Sequence, residues 1–278
     1  LHPTDFLRME GAMGSCTTKE ASKKTDLKKE VEDTKQNSGG NNDLPPLTPV
    51  PSEVVARYKK DPECTFLEEV RNCKTIRKAH EGPTPTSNWV VPGRLLASDN
   101  PYYYKNEKQG NQNVKSLIKV GVRTFVCLHK LNINKRSNYM GKARKLLPED
   151  EKQALEFVSF PIGDMTTRTD NELDELTDRI AYSILTRPKN VHFVHCTGGH
   201  GRTGTVVAVV LGKLYTQLES DHAMMRIQLY HDSRKEYQEY GQTCHSPETS
   251  RQCKQIQSVL KMFHDRDCKI LSKKPLKD

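Results

Sequence analysis

The sequence is poor in aromatic residues and in long apolar runs. Of its 278 residues, 6% are aromatic, one is tryptophan and 34% are hydrophobic. No stretch reaches the roughly 18 consecutive apolar residues of a membrane-spanning helix, and no secretory hydrophobic segment is found. These absences argue against an integral membrane or secreted protein, and the low apolar content predicts that part of the chain does not join a packed core.

The eight cysteines lack the spacing of metal sites and disulfide scaffolds. No two of them form a CxxC pair, which argues against a zinc site, and they are spread along the chain rather than clustered. We therefore expect reduced thiols and a soluble, cytoplasmic protein.

Positive charge is in excess. Lysine and arginine total 44 against 35 aspartate and glutamate residues, a formal net charge of +9. This balance suits an anionic partner such as a phosphoprotein, a phosphoinositide, a nucleic acid or an acidic membrane surface. Simple solubility explains the charge equally well.

Composition divides the chain into four parts. Residues 1–52 are polar and contain one aromatic residue, so they cannot bury enough apolar surface to offset their ordering entropy and are predicted to be disordered. Residues 53–84 form a helical extension and linker, in which we expect an amphipathic helix beginning at Asp61-Pro62. Residues 85–266 form the main domain, and 267–278 a basic tail.

The N-terminal segment contains a candidate lipidation site. If translation starts at Met13, Gly14 fits an N-myristoylation acceptor and Cys16 is a candidate for palmitoylation. One acyl chain binds membranes only marginally, so the second chain or the nearby lysines would be needed for attachment to a membrane surface. The alternative is a chance match in a disordered tail.

Strand and helix patterns alternate through the main domain. Apolar, β-branched segments predict strands, and segments with helical spacing predict the helices between them. Residues 88–96 are expected to form a strand, a turn and a second strand, and further strands are expected at 122–128, 155–160 and 191–194. The helices are expected at 112–120, 169–184, 203–218, from 220 onward and from 246 to 263. This order predicts an α/β fold, a central, mostly parallel, twisted sheet with helices on both faces.

The chemistry is concentrated in His195-Cys196-Thr197-Gly198-Gly199-His200-Gly201-Arg202-Thr203-Gly204. A strand leads into this loop and a helix leaves it, so loop N–H groups and the positive end of the helix form an anion cradle. Three glycines allow the loop positive φ angles, and Arg202 closes the cradle with a planar fork for two phosphate oxygens. The same field stabilises a thiolate at Cys196, to whose sulfur Thr203 can donate a hydrogen bond.

These residues resemble the signature of the cysteine-dependent protein tyrosine phosphatase superfamily, in its dual-specificity-like branch. The resemblance covers roughly residues 85–265 and is most specific in the loop. It implies Cys196 as nucleophile, a phosphate site formed by residues 197–202, a supporting role for His195, and no metal or organic cofactor. It also implies a general acid on a separate loop.

The resemblance points to Asp164 as this acid, because it ends a predicted strand and lies 32 residues before the cysteine (196 − 164), as the acid of the family commonly does. Asp170 competes, but its place beside the Thr169/Glu172 capping-box pattern gives it a structural explanation. His200 is either partly protonated near neutral pH, and so favours highly anionic substrates, or a solvent-facing loop residue. Gln252, in a P-x-T-x-x-Q pattern similar to one found in several branches of the family, either positions water or belongs to a surface helix.

The resemblance implies hydrolysis of phosphomonoesters through a phosphocysteine intermediate. A phosphorylated protein, on tyrosine, serine or threonine, is the favoured substrate, and a monomer is expected. The alternatives are a phosphoinositide, an RNA 5′-triphosphate or a non-catalytic phosphate-binding module.

Overall fold

The computed structural model describes residues 44–103, 105–130 and 139–266. The lipidation site expected at Gly14 and Cys16 and the basic tail expected at 267–278 lie outside these residues.

A five-stranded sheet forms the centre of the fold, in the order β1-β2-β5-β3-β4. The β1–β2 pair is antiparallel, and the β2–β5, β5–β3 and β3–β4 pairs are parallel. The strands are β1 (Asn88–Val91), β2 (Leu95–Ser98), β3 (Val122–Cys127), β4 (Glu156–Ser159) and β5 (Val191–His195). The sheet is therefore mostly parallel, as the alternation of elements predicted, and β5 lies at its centre.

Each face of the sheet is covered by its own apolar cluster. Successive side chains of a strand point to opposite faces. In β5, Phe193 joins one cluster and Val194 the other, and in β3 the same division separates Phe125 from Val126. The sheet is thus buried on both sides, which explains why its inner strands are apolar throughout rather than alternating.

Ten α-helices and one 3₁₀ helix surround the sheet in the described residues. They are α1 (Ser52–Lys60), α2 (Leu67–Asn72), α3 (Lys74–His80), α4 (Glu107–Lys119), α5 (Met140–Lys145), the 3₁₀ helix Glu149–Ala154, α6 (Asp170–Thr186), α7 (Gly201–Leu214), α8 (Ser220–His231), α9 (Lys235–Tyr240) and α10 (Ser250–Asp265). Helices α4 and α5 cover the Phe125 face, and α1–α3, α6–α8 and α10 cover the other. None of the helices described here has both the length and the apolar character needed to cross a membrane.

Helix α7 lies at the centre of the second face. All 14 of its residues are buried, including Lys213, whose ammonium group donates to the carboxylates of Asp174 and Asp178 on α6. The apolar run after the loop predicted this burial, although the helix begins at Gly201 and ends at Leu214 rather than spanning 203–218.

The prediction of disorder is wrong for residues 44–52. Leu44, Leu47 and Val50 pack against the core, and the Tyr215 hydroxyl donates to the carbonyl of Pro45 at 2.6 Å. The segment is ordered because its few apolar side chains find partners on the main domain, which composition alone does not reveal.

The single helix expected from Asp61-Pro62 is also wrong. Asp61 ends α1, and two short helices, α2 and α3, follow after a turn. Phe66, which the helical spacing placed inside a helix, lies just before α2, fully buried, and its N–H donates to the buried carboxylate of Asp232 at 2.5 Å. A tertiary hydrogen bond thus interrupts the periodic pattern.

Helix caps follow the sequence pattern at one site and depart from it at another. Thr169 and Glu172 form the predicted reciprocal capping box of α6. The final helix is capped by Thr249 with Gln252, rather than by Ser246-Pro247, and starts at Ser250.

Candidate active site

The signature loop lies at the carboxyl end of the central strand. Cys196 directly follows β5, and α7 begins at Gly201, so the loop connects a strand end to a helix N-terminus. The Cys196 side chain is buried, and its Sγ accepts a hydrogen bond from the N–H of Gly199 at 3.1 Å. Carboxyl ends of parallel strands are where open α/β sheets bind ligands, and a helix N-terminus there favours an anion.

The three loop glycines have different reasons to be glycine. Of the three, Gly199 alone has a positive φ, of 82°, so the loop uses the expected conformational freedom at one position. A Cβ on Gly199 would lie 2.4 Å from the backbone N of Asp99, and one on Gly201 would lie 2.3 Å from Glu248 Oε2. At Gly201, whose φ is not positive, a side chain would instead require the ends of the Glu248 and Gln252 side chains to move.

Arg202 and Asp164 meet at the loop. Arg202 is 7% exposed, and its Nη2 lies 2.7 Å from Asp164 Oδ1, whose own side chain is 77% exposed. The same Nη2 donates to Thr197 Oγ1, and Nη1 donates to the Ile162 carbonyl, both at 3.2 Å. The arginine is thus held by the two chain segments that carry the candidate acid and the phosphate loop.

Asp170, the competing candidate acid, has a structural role instead. Its two carboxylate oxygens accept hydrogen bonds from Gln255 at 3.0 Å and from Ser258 at 2.5 Å, both on α10. The residue joins the start of α6 to α10.

His195, the last residue of β5, contacts the loop through its imidazole ring. Its Nδ1 lies 3.0 Å from the Cys196 carbonyl, which can only accept, so Nδ1 carries the proton and Nε2 accepts from the Tyr139 hydroxyl at 2.5 Å. Complete burial lowers the pKa of His195 to about 3, so the ring is neutral at physiological pH. It orients the backbone at the nucleophile without contributing charge.

Thr203 does not make the bond to the cysteine sulfur that the sequence suggested. Its side chain is completely buried, and its hydroxyl has no hydrogen-bond partner among the described residues. Thr197 contributes in two ways instead, because its hydroxyl accepts from Arg202 and its carbonyl accepts from the N–H of Asn100 at 3.1 Å.

His200 is half-buried, with its ring against α8 and α9. Its Nδ1 lies 2.9 Å from His231 Nε2, and the Tyr237 hydroxyl lies 3.3 Å from both nitrogens. Burial lowers the pKa of His200 well below its ordinary value, and the nearby His231 and Arg234 lower it further. The lowered pKa disfavours a partly protonated ring at neutral pH, and the contacts with His231 and Tyr237 leave the ring only partly exposed to solvent.

Gln252 is completely buried rather than part of a surface face. Its Oε1 accepts from the N–H groups of Glu248 and Thr249, at 3.0 and 3.1 Å, and its amide nitrogen has no partner among the described residues. These contacts fix the backbone at the start of α10, next to the loop.

Two charged residues at the loop escaped the sequence reasoning. Glu248 Oε2 accepts from the N–H of Gly201 at 2.8 Å. Arg234, 1% exposed, donates from Nη2 to the Gly199 carbonyl at 2.8 Å and from Nε to Asn88 Oδ1 at 2.9 Å. Glu248 stands inside the quoted P-x-T-x-x-Q segment and was there to be noticed, whereas no local pattern marks Arg234.

Glu248 and Asp164 place two carboxylates around Arg202. The Glu248 side chain is exposed as a whole, but its carboxyl group lies against the loop. The resulting burial raises the pKa of Glu248; the hydrogen bond from Gly201 opposes this rise and the charge of Asp164 adds to it.

Cys127, His129 and His195 form a group whose potential ligand atoms lie within 4.8 Å of one another. Both ring nitrogens of His195 already bind Tyr139 and the Cys196 carbonyl. A metal ion would have to displace one of these bonds, so we assign the group a structural role.

Comparison with known proteins identifies the family. Residues 84–255 match the model of the Swiss Army Knife protein (PTP-SAK) DSP-PTPase phosphatase domain. A search of curated proteins found no match.

Several solved structures resemble the chain at low sequence identity. The active form of Tk-PTP is 19% identical, with a TM-score of 0.42, and the similarity covers 66% of this chain and 97% of that one. PTPMT1 in complex with PI(5)P is 15% identical, with a TM-score of 0.43, and covers 68% and 98%. The human tyrosine phosphatase-like serine/threonine/tyrosine-interacting protein is 13% identical, with a TM-score of 0.43, and covers 63% and 96%.

The assignment rests on the domain model, which spans more than half of the chain and contains the whole signature loop. Its DSP-PTPase description agrees with the resemblance seen at Cys196 and Arg202. The chain therefore belongs to the dual-specificity-like phosphatase domains of the cysteine-dependent protein tyrosine phosphatase superfamily.

Proposed function

We propose that the protein hydrolyses phosphomonoesters through a phosphocysteine intermediate, with Cys196 as nucleophile. One observation carries the proposal: Asp164, from a separate segment of the chain, lies 2.7 Å from Arg202 at the loop that holds the cysteine. Nucleophile, phosphate-binding cation and candidate acid are thus assembled in one place.

In the first step the Cys196 thiolate attacks phosphorus, and the bond between phosphorus and the ester oxygen breaks. The leaving oxygen takes the proton of Asp164 and departs as an alcohol or phenol. The N–H of Gly199 supports the thiolate before attack, at 3.1 Å from the sulfur. Arg202 and the remaining N–H groups of the loop bind the phosphate oxygens as their charge develops.

In the second step water attacks phosphorus and the sulfur–phosphorus bond breaks. Asp164, now ionised, accepts the proton from water, and inorganic phosphate and the thiolate are released. Thr203 has no part in this step in our proposal, because its hydroxyl does not reach the sulfur within hydrogen-bond distance.

As substrate we propose a protein phosphorylated on tyrosine, serine or threonine, acted on by a monomer in the cytoplasm. If translation starts at Met13, acylation of Gly14 and Cys16 would add attachment to a membrane surface. Labelling of expressing cells with an alkyne-tagged fatty acid tests this part, since Gly14→Ala is expected to remove the label.

The decisive assay is phosphate release from phosphotyrosine and phosphothreonine peptides, phosphoinositides and triphosphate-ended RNA. Cys196→Ser is expected to abolish release, and Asp164→Asn to reduce it by about 10²- to 10⁴-fold. Cys73→Ser, in the N-terminal extension, is the matched control and should leave activity unchanged. A folded wild-type protein that releases phosphate from none of these substrates would show that the loop only binds phosphate.

A further inference from the structure

The Glu248 carboxylate accepts a hydrogen bond from a backbone N–H that a phosphate-binding loop normally donates to its ligand. Gly201 is the first residue of α7, so its N–H is one of the unpaired donors at the helix N-terminus. The Glu248 carboxylate accepts this N–H at 2.8 Å. An anion supplied by the protein itself therefore stands at the edge of the anion cradle.

The position of this carboxylate is fixed from two sides. Gln252 Oε1 accepts from the backbone N–H of Glu248, within the capping box that begins α10. On the other side, a Cβ on Gly201 would overlap both the Glu248 carboxylate and the Gln252 amide, so the glycine makes room for the contact. The pairing is thus built into the packing of α7 against α10.

The charges that face Glu248 leave the cradle weakly cationic. Besides Arg234, which donates to the Gly199 carbonyl, the loop 196–202, all of which the structure describes, has one cationic side chain, Arg202. Its Nη2 is bound to Asp164, whose charge also acts on Glu248. His200, in the middle of the loop, is neutral because of its burial beside His231. The two arginines at the loop are therefore opposed by the carboxylates of Asp164 and Glu248 and, in the proposed reaction, by the Cys196 thiolate.

We propose that Glu248 is a specificity-determining residue that selects a single phosphate on a neutral or basic carrier and disfavours substrates carrying several phosphates. The inference rests on the proposed function, because it names the substrate class of the same site. In a substrate with one phosphate, the Glu248 carboxylate repels only that phosphate group. Each additional phosphate within a Debye length, about 8 Å at physiological salt, is repelled again.

The test compares two soluble substrates, a singly phosphorylated threonine peptide and inositol 1,3,4,5-tetrakisphosphate. The quantity measured is the ratio of their kcat/KM values, which reports discrimination directly. Wild type should prefer the peptide, and Glu248→Gln should lower this preference by about 10- to 100-fold, the usual size of a single charge effect at a partly buried site. Glu248→Lys should lower it further.

Glu175→Gln is the matched control, because it removes the same charge from an exposed position on α6. It should leave the ratio unchanged. A ratio for Glu248→Gln within twofold of wild type, or an equal change in Glu175→Gln, would overturn the proposal.

Direct binding separates this inference from the proposed function. Calorimetry with inorganic phosphate and tripolyphosphate gives the same ratio without turnover, so it applies even if the protein releases no phosphate from any substrate. Tighter binding of tripolyphosphate relative to phosphate in Glu248→Gln supports the role of the carboxylate. Equal relative affinities in wild type and variant refute it.

Discussion

Replacing Gly199 by alanine is expected to disable the loop while leaving its chemical groups intact. The φ of 82° at this position costs a non-glycine residue about 1–2 kcal/mol. The new Cβ would also lie 2.4 Å from the backbone N of Asp99, at the end of β2. Backbone in a sheet yields poorly, and such overpacking costs about 1–3 kcal/mol.

Together the two effects disfavour the active loop conformation by about 2–5 kcal/mol, equivalent to a loss of activity of about 30- to 5,000-fold. The loss should appear in kcat/KM for any phosphomonoester, because the Gly199 N–H contacts the cysteine sulfur in every reaction. Thermal unfolding measured alongside shows whether the strain is local or destabilises the whole domain.

Gly198→Ala is the matched control within the same loop. Its φ is not positive, and its nearest neighbours are atoms of the His200 ring, at 3.1 and 3.2 Å. A ring can shift by a few tenths of an ångström, so this variant should keep activity within about fivefold of wild type. If Gly199→Ala is as active as Gly198→Ala, the steric reasoning is refuted.

Three further variants test the support of the site. Arg234→Met leaves two buried acceptors unpaired and should lower the free energy of unfolding by about 2–6 kcal/mol, with partial recovery in Arg234→Lys. Tyr139→Phe removes the partner of His195 Nε2 and should cost about 1–3 kcal/mol. Burial raises the pKa of Asp232 to about 6, above its unfolded value, so the folded state binds more protons between pH 4 and 6. Relative to Asp232→Asn, wild type should therefore lose about 3 kcal/mol of stability as pH rises through this range.

Urea unfolding checks all three. Surface substitutions usually change the free energy of unfolding by no more than about 0.5 kcal/mol. If Arg234→Met or Tyr139→Phe changes it by no more than this, water or local relaxation replaces the lost hydrogen bonds. A stability difference between wild type and Asp232→Asn that stays constant from pH 4 to 7 would show that Asp232 does not carry the raised pKa.

The features that were predicted from the sequence are those determined by residues close together in the chain. Short apolar, β-branched segments, segments with helical spacing and the strand-loop-helix around Cys196 all depend on neighbours in the chain, and so the sheet, its main helices and the signature loop were predicted. The capping box of Thr169 with Glu172 was predicted for the same reason.

What the sequence did not show depends on contacts between distant segments. His200 has loop neighbours typical of an exposed residue, yet its ring is half-buried, and its Nδ1 lies 2.9 Å from Nε2 of His231, which comes from α8. Thr203 is completely buried, and its hydroxyl has no hydrogen-bond partner among the described residues. Phe66 fits a helical pattern, yet a hydrogen bond to Asp232 holds it outside any helix.

The segment that precedes the family domain packs against that domain and makes specific contacts with it. The family match begins at residue 84, yet Phe66 supplies an N–H to Asp232, and His80 stacks on Tyr230 with ring centroids 3.5 Å apart. Both acceptor and stacking partner lie just before Arg234, which holds the Gly199 carbonyl. A protein truncated to begin at residue 84 would lose both of these contacts, and the surface of α8 that they cover would be exposed to solvent. The folded unit therefore includes residues 44–83 together with the family match, and catalytic competence is expected to depend on residues that the family pattern does not include.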